Sequence, residues 1–278
     1  MLVLNKKDII NLYVWVDDLM PGSESQPMAS GRPKLLSENE VVTILIWNTL
    51  TIKSKTLKDL YQSLGLYHQD DFPRLPRYKR FVENCHAALP RLIFILNGIL
   101  CAEAPIKILD STMLEVFKFV RADRHKTCKN IARFGKNHQG WHYGFKLHAS
   151  VDLQGKLCAV FFTPASYHDA QAMPKILNQY TKLAVGDGGY TASVMKKIIW
   201  ENYGTLVVSP PHPKQNKKIM SPWQCKLLHI RPKIETVFDY LKEHLHLISS
   251  FPRSVSGYLL HYVRILLGYQ MMAISKGK

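Results

Sequence analysis

Cysteine is sparse in this chain, acidic residues are sparse in its second half, and no long apolar run goes uninterrupted. The five cysteines, Cys85, Cys101, Cys128, Cys158 and Cys225, are odd in number and scattered, with no CxxC pair. A disulfide-stapled secreted scaffold and a zinc ribbon are therefore unsupported, and Cys225-x-x-x-His229 has no second ligand pair to complete a tetrahedral site. The apolar stretches at 91–100 and 258–274 are too short or are broken by His261 and Arg264, and the N-terminus has no basic-then-apolar leader. Neither a membrane span nor a secretory signal is expected, which places the chain in a reducing cytoplasm. No internal repeat or low-complexity tract occurs, so solenoid and fibrous arrays are excluded. What remains is 278 residues with 46% hydrophobic and 21% charged side chains, enough to bury a core as one large domain or one with a smaller companion.

The shortage of acid is local. Residues 1–105 hold 12 basic and 11 acidic side chains and carry +1, whereas residues 106–278 hold 25 and 10 and carry +15. Such a field repels itself unless a polyanion accepts it, which makes a nucleic acid the expected partner. Two stretches concentrate the charge. Residues 117–146 contribute Arg121, Arg124, Lys126, Lys129, Arg133, Lys136 and Lys146, with His148 just beyond, and residues 210–233 contribute Lys214, Lys217 and Lys218. These are the candidate phosphate contacts.

The first 104 residues read as a small all-α domain. Ser37-x-x-Glu40 is a capping box before Val41, Ile44, Leu45, Trp47 and Leu50; Thr56-x-x-Asp59 opens a second, shorter helix expected to stop at Gly65. Two short helices at this spacing permit a DNA-binding helix-turn-helix, as they permit any small bundle. A further helical region is expected over 78–101.

From residue 105 to 278 the pattern becomes mixed α/β. Ile106–Leu109 is a short β-rich run ending in Asp110, and residues 144–152 alternate, with Phe145, Leu147, Ala149 and Val151 on one face and Lys146, His148, Ser150 and Asp152 on the other. Gly155 turns the chain into a returning strand at 157–163. A helix (169–180), a strand (183–186), a helix (192–202), a strand (205–209) and a final helical region complete the order.

Among so few acids, Asp110 and Asp187 each follow an apolar strand, the second within GDGGY. Strand C-termini are where open α/β sheets present ligands, although either Asp alone serves equally well as a turn or helix cap. In RPKIETVFDYLKEHL, Ile234, Val237, Phe238, Leu241 and Leu245 share one helical face, and Arg231, Glu235 and Lys242 share a stripe beside it. Three carboxylates on two strand ends and a late helix suit a pair of Mg²⁺ or Mn²⁺ ions, the arrangement that supports in-line phosphoryl transfer. Trp141, Tyr143 and Tyr190 are available for base stacking or for filling the core.

With ILDST, GDGGY and Arg231-x₃-Glu235-x₆-Lys242 in this order, and with WHYGFKLH (141–148) and His168-Asp169 between them, the sequence resembles the DDE transposases of bacterial insertion sequences. Where that family's helical signature begins with Tyr, Leu228 stands instead. The resemblance implies an RNase H-like catalytic domain, metal ligation by Asp110, Asp187 and Glu235, and roles in the same site for Arg231 and Lys242. It also implies cleavage at terminal inverted repeats by water, attack of the freed 3′-hydroxyl on target DNA, and a homodimer on DNA at the nucleoid. A catalytically inactive DNA-binding protein and a stand-alone RNase H-like nuclease are the alternatives.

Overall fold

The protein is described here by a computed structural model covering residues 9–19, 34–117, 127–137, 140–211, 219–249 and 252–276. In chain order these contain α1 (Ile9–Leu19), α2 (Glu38–Trp47, prolonged by a π-helical turn Asn48–Ile52), α3 (Leu57–Tyr67), α4 (Tyr78–Ala87) and α5 (Leu89–Ile99). Then follow β1 (Ile106–Phe117), β2 (Arg133–Asn137), β3 (Gly140–Val151), β4 (Leu157–Pro164), α6 (Asp169–Ile176), β5 (Leu183–Val185) and a 3₁₀ turn (Gly188–Tyr190). The chain closes with α7 (Ser193–Tyr203), β6 (Leu206–Val208), α8 (Pro222–Leu228), α9 (Pro232–Asp239, prolonged by a π-helical turn Tyr240–His244) and α10 (Val255–Lys276). No helix among the described residues is long and apolar enough to cross a membrane.

Two compact units result: residues 1–99 with 245–247 and 251–278, and residues 100–244 with 248–250. In the first unit the described elements are helices. Ser37 caps α2 by the expected capping box, its hydroxyl accepting from Glu40 N while the Glu40 carboxylate accepts from Ser37 N. Residues 41–47 are buried throughout, so α2 is a core helix, with α1, α4 and α10 packed around it. The last helix thus joins the N-terminal elements; the sequence grouped it with residues 105–278. Thr56 caps α3 as expected, but α3 runs past Gly65 to Tyr67, because Gly65 faces open space and the roughly 1 kcal/mol that a helical glycine costs is tolerated there. The helical region at 78–101 is two helices that break around Ala88.

The second unit is a mixed six-stranded sheet in the order β2-β3-β1-β5-β6, with helices packed on it. Strand β3 pairs with β1 along one edge and divides its other edge between β2, at 140–144, and β4, at 145–151. Strands β5 and β6 continue the sheet in parallel. The core over one face gathers Leu109, Ala184 and Val207 from three strands with Met173, Ile176 and Ile199 from α6 and α7. Helix α6 ends at Ile176, short of the expected 180, because Asn178 breaks it: the Asn178 carboxamide oxygen accepts from Tyr180 N, Thr181 Oγ1 and the buried Lys107 ammonium. Two further corrections bear on the site. Strand β1 does not stop at Asp110 but runs to Phe117, and β2 and α8 were not anticipated.

Candidate functional site

Parallel pairing of β1 with β5 sets Ile106, Lys107 and Ile108 opposite Leu183, Ala184 and Val185. Carried on by two residues, this register brings Asp110 level with Asp187. By then β5 has ended and β1 has not. Asp110 therefore lies mid-strand, at the point where its neighbour leaves the sheet, and a cleft of about 900 Å³ opens there. The backbone on each side holds its carboxylate: Ser111 N donates to Asp110 Oδ1 at 2.7 Å, and Gly189 N, in the 3₁₀ turn, donates to Asp187 Oδ1 at 2.9 Å.

Both carboxyls are pushed up from the usual range, first by burial and then by acidic neighbours. Asp110 reaches about 7, with Asp187 and Asp169 raising it and the Ser111 N–H and Arg231 opposing. Asp187 is raised in the same way, with Asp169 adding to the effect of burial. Asp169 is the acid that the sequence left out of the site. It opens α6, where it accepts from Ser111 Oγ at 2.7 Å and Lys146 Nζ at 3.1 Å, with His148 Nδ1 at 3.5 Å. A Cβ at Gly189 would stand 2.9 Å from Asp169 Oδ2 and 3.0 Å from Asp187 Oδ1, so a side chain there would press on both carboxylates. Beneath them is Tyr190, fully buried; its hydroxyl has no hydrogen-bond partner among the described residues and is held well above its usual pKa by burial and by these three acids.

Helix α9 supplies the opposite wall. Its buried residues Ile234, Val237 and Phe238, with Leu241 beyond, are those of the expected apolar face, and α9 packs on β1. Arg231, Glu235 and Lys242 consequently line the cleft with Asp110 and Asp187. The Glu235 carboxylate pairs with the Arg231 guanidinium one helical turn earlier. The half-buried Lys242, in the π-helical turn, has its ammonium pushed down by burial, an effect opposed by Asp239, Asp110, Glu243 and Glu115. Glu115 is itself paired with His142 across β1 and β3 at the rim.

The donor set matches a hard divalent cation in part. Asp110 and Asp187 are two desolvated, mutually repelling oxygen donors, and a cation between them would relieve the burial and repulsion that raise both pKa values. Among the described residues, however, no three Asp, Glu, His or Cys side chains form a ready ligand cluster. A third carboxylate from α9 would have to exchange Arg231 for the ion.

The candidate phosphate contacts divide sharply. Lys129, Arg133 and Lys136 are exposed, and Lys136 stands over the exposed Trp141 ring at 5.8 Å. Lys146 is 8% exposed and bonded to Tyr167 O and Asp169, and His148 is fully buried against Thr163 Oγ1 at 2.9 Å. His148 is a correction: α6 packs on the face of β3 that carries it, so it cannot reach a phosphate, whereas Lys146 lines the acidic cleft while bonded to Asp169. Tyr143 and Tyr190 likewise fill the core, the former against Phe134. Arg121, Arg124, Lys126, Lys214, Lys217 and Lys218 lie outside the described residues.

No solved structure matches this chain. A family model described as the transposase DDE domain matches residues 101–255, more than half of the chain. That span runs from just before β1 to the start of α10 and so takes in every wall of the cleft, and the chain accordingly belongs to the transposase DDE domain family.

Proposed function

We propose that this protein is a DDE transposase whose second unit is an RNase H-like catalytic domain, cutting DNA at the ends of an insertion sequence and joining them to target DNA. The observation that carries this reading is the register of β1 and β5, which sets Asp110 and Asp187 level at the point where β5 ends, facing the α9 side chains. In this reading Asp110 and Asp187 would hold the metal ions, with Glu235 joining them in exchange for its pairing with Arg231. When bound, two Mg²⁺ or Mn²⁺ ions supply an activated water or 3′-hydroxyl and charge neutralisation at the leaving oxygen. Arg231, freed from Glu235, turns its fork to the non-bridging oxygens of the scissile phosphate, and Lys242 adds a point charge beside them. Asp110, whose carboxyl burial raises to about 7, would hold the ion as the carboxylate. Asp169 binds none of the reacting atoms; it holds Ser111 and Lys146 in place.

A purified-protein assay with labelled duplex carrying the element's own ends and Mg²⁺ tests the reading. Asp110→Ala, Asp187→Ala and Glu235→Ala should each reduce cleavage to background while affinity for DNA stays close to that of the wild type. Lys242→Ala should slow single-turnover cleavage by about 10²-fold with little change in affinity, since misalignment costs rate far more than binding. Joined products identify a transposase. Cleavage without joining, and without preference for the ends, would establish a stand-alone nuclease, and wild-type protein that binds but never cuts would establish a DNA-binding relic.

A further inference from the structure

We propose that the helical first unit carries a second site, separate from the acidic cleft: a pocket for a phosphate group, formed where α4 and the start of α3 meet the first turns of α10. A cavity of about 390 Å³ opens there, within the range of ligand sites. Lys55, Arg253 and Arg264 all line it, and among the described residues no Asp or Glu does.

Arg264 makes the strongest case. It is 3% exposed, and no carboxylate of the described residues pairs with it. Its Nη2 reaches only Ser54 O at 3.4 Å, Lys55 O at 3.5 Å and His261 Nδ1 at 3.3 Å, all long contacts. His261 cannot supply a counter-charge. Its Nε2 donates to His246 O at 2.9 Å, so Nδ1 is left to accept from Arg264, and burial with the adjacent guanidinium pushes the imidazole down to about 3. Cys85 cannot either, because burial raises its thiol to about 12. Burial brings the Arg264 guanidinium down only to about 10, so it stays charged at neutral pH. A buried cation with neutral neighbours and an open cavity before it is an unfinished ion pair.

The rest of the lining complements an anion. His86 also lines the pocket, and its buried Nδ1 has no hydrogen-bond partner among the described residues. The pocket also lies at the N-terminus of the 22-residue α10, whose dipole favours negative charge. Lys55 and Arg253 also line the pocket and are exposed, so they can add positive charge to a bound anion. A phosphate has the charge and acceptor oxygens that Arg264 and His86 lack. It can come from the backbone of bound DNA or from a small phosphorylated molecule.

The primary test uses the full-length protein and the double variant Lys55→Ala/Arg253→Ala, whose exposed side chains can be cut back without disturbing the core. Inorganic phosphate should raise the wild-type melting temperature beyond chloride at matched ionic strength, and the double variant should weaken phosphate binding about tenfold or more. Arg264→Gln should also lose the phosphate response without loss of intrinsic stability, whereas a merely structural Arg264 would show a fall in stability; if that variant does not fold, the double variant decides. A wild-type response no greater than that to chloride, or one the double variant keeps, overturns the proposal. Duplex DNA distinguishes the sources: weakened DNA affinity in the double variant, with competition by phosphate, assigns the pocket to the DNA backbone, and unchanged DNA affinity assigns it to a small phosphorylated molecule. Only the DNA arm rests on the transposase reading, and failure of that reading would appear separately, as wild-type protein that does not cleave.

Discussion

The carboxyl of Asp110 illustrates how a site imposes a cost on the protein that carries it. Its folded pKa, about 7, lies above the ordinary 3.8, so the folded state holds a proton that the unfolded chain has released. The stability associated with that proton is fully present below about pH 4 and is lost as pH rises through 7, with the total on the order of a few kcal/mol. Asp110→Asn abolishes this dependence. In EDTA at pH 8 the variant should melt at a higher temperature than the wild type, and Mg²⁺ should raise the wild type alone. Calorimetry from pH 5 to 8 decides: parallel slopes for the two proteins would mean that repulsion and burial at Asp110 are not what they are taken to be. That Asp110, Asp187 and Glu235 come together at one cleft was legible in the sequence, because they stand out where acids are rare. Asp169 was passed over as a site residue since its importance comes from Ser111, Lys146 and His148, partners 58, 23 and 21 residues away in sequence. Likewise the alternation in β3 gave the face of Lys146 and His148 correctly, but nothing local announces that α6 covers that face.

At the scale of elements, the cleft depends on β1 being longer than β5, and β1 depends on Gly144. The β1–β3 ladder shifts register between Glu115 and Phe117, opposite Gly144, where the strands approach so closely that a Cβ would stand 2.2 Å from Leu114 O. Only glycine fits against backbone that cannot move aside. Gly144→Ala should destabilise the second unit by about 1–3 kcal/mol, the usual cost of overpacking. It should also separate Glu115 from His142 at the rim. The check is a thermal melt; an unshifted melt would mean that the ladder tolerates the methyl group. The sequence announced β3 by its period of two, and α2, α3 and α9 by their caps and apolar faces. It did not announce the far half of β1, where Asp110, Ser111 and Thr112 break the apolar run and pairing with β3 supplies the strand. Nor did it announce β2, five residues of which Arg133, Gly135, Lys136 and Asn137 have little strand preference of their own.

At the scale of the whole molecule, each unit contains a buried histidine held neutral. His148 in the second unit is pushed down to about 4, by burial first and by Lys146, with Asp169 opposing; His261 in the first is pushed down to about 3, by burial and by Arg264. A folded pKa below the ordinary 6.5 means that the unfolded chain takes up protons that the folded one refuses. Stability is therefore present above pH 6.5 and is lost as pH falls toward 3–4, by about 2 kcal/mol per histidine at pH 5. The formal charge of +16, which grows as histidines protonate, adds repulsion in the same direction. Because the two histidines belong to different units, substitution separates their effects. His261→Gln should flatten the acid dependence of the first unit's melting while leaving that of the second unchanged, and His148→Gln should do the reverse. Scanning calorimetry between pH 7.5 and 4.5, with hydrogen exchange to assign each transition, measures both. If either variant flattened both transitions equally, the acid sensitivity would belong to the net charge, and the buried imidazoles would have no separate part in it.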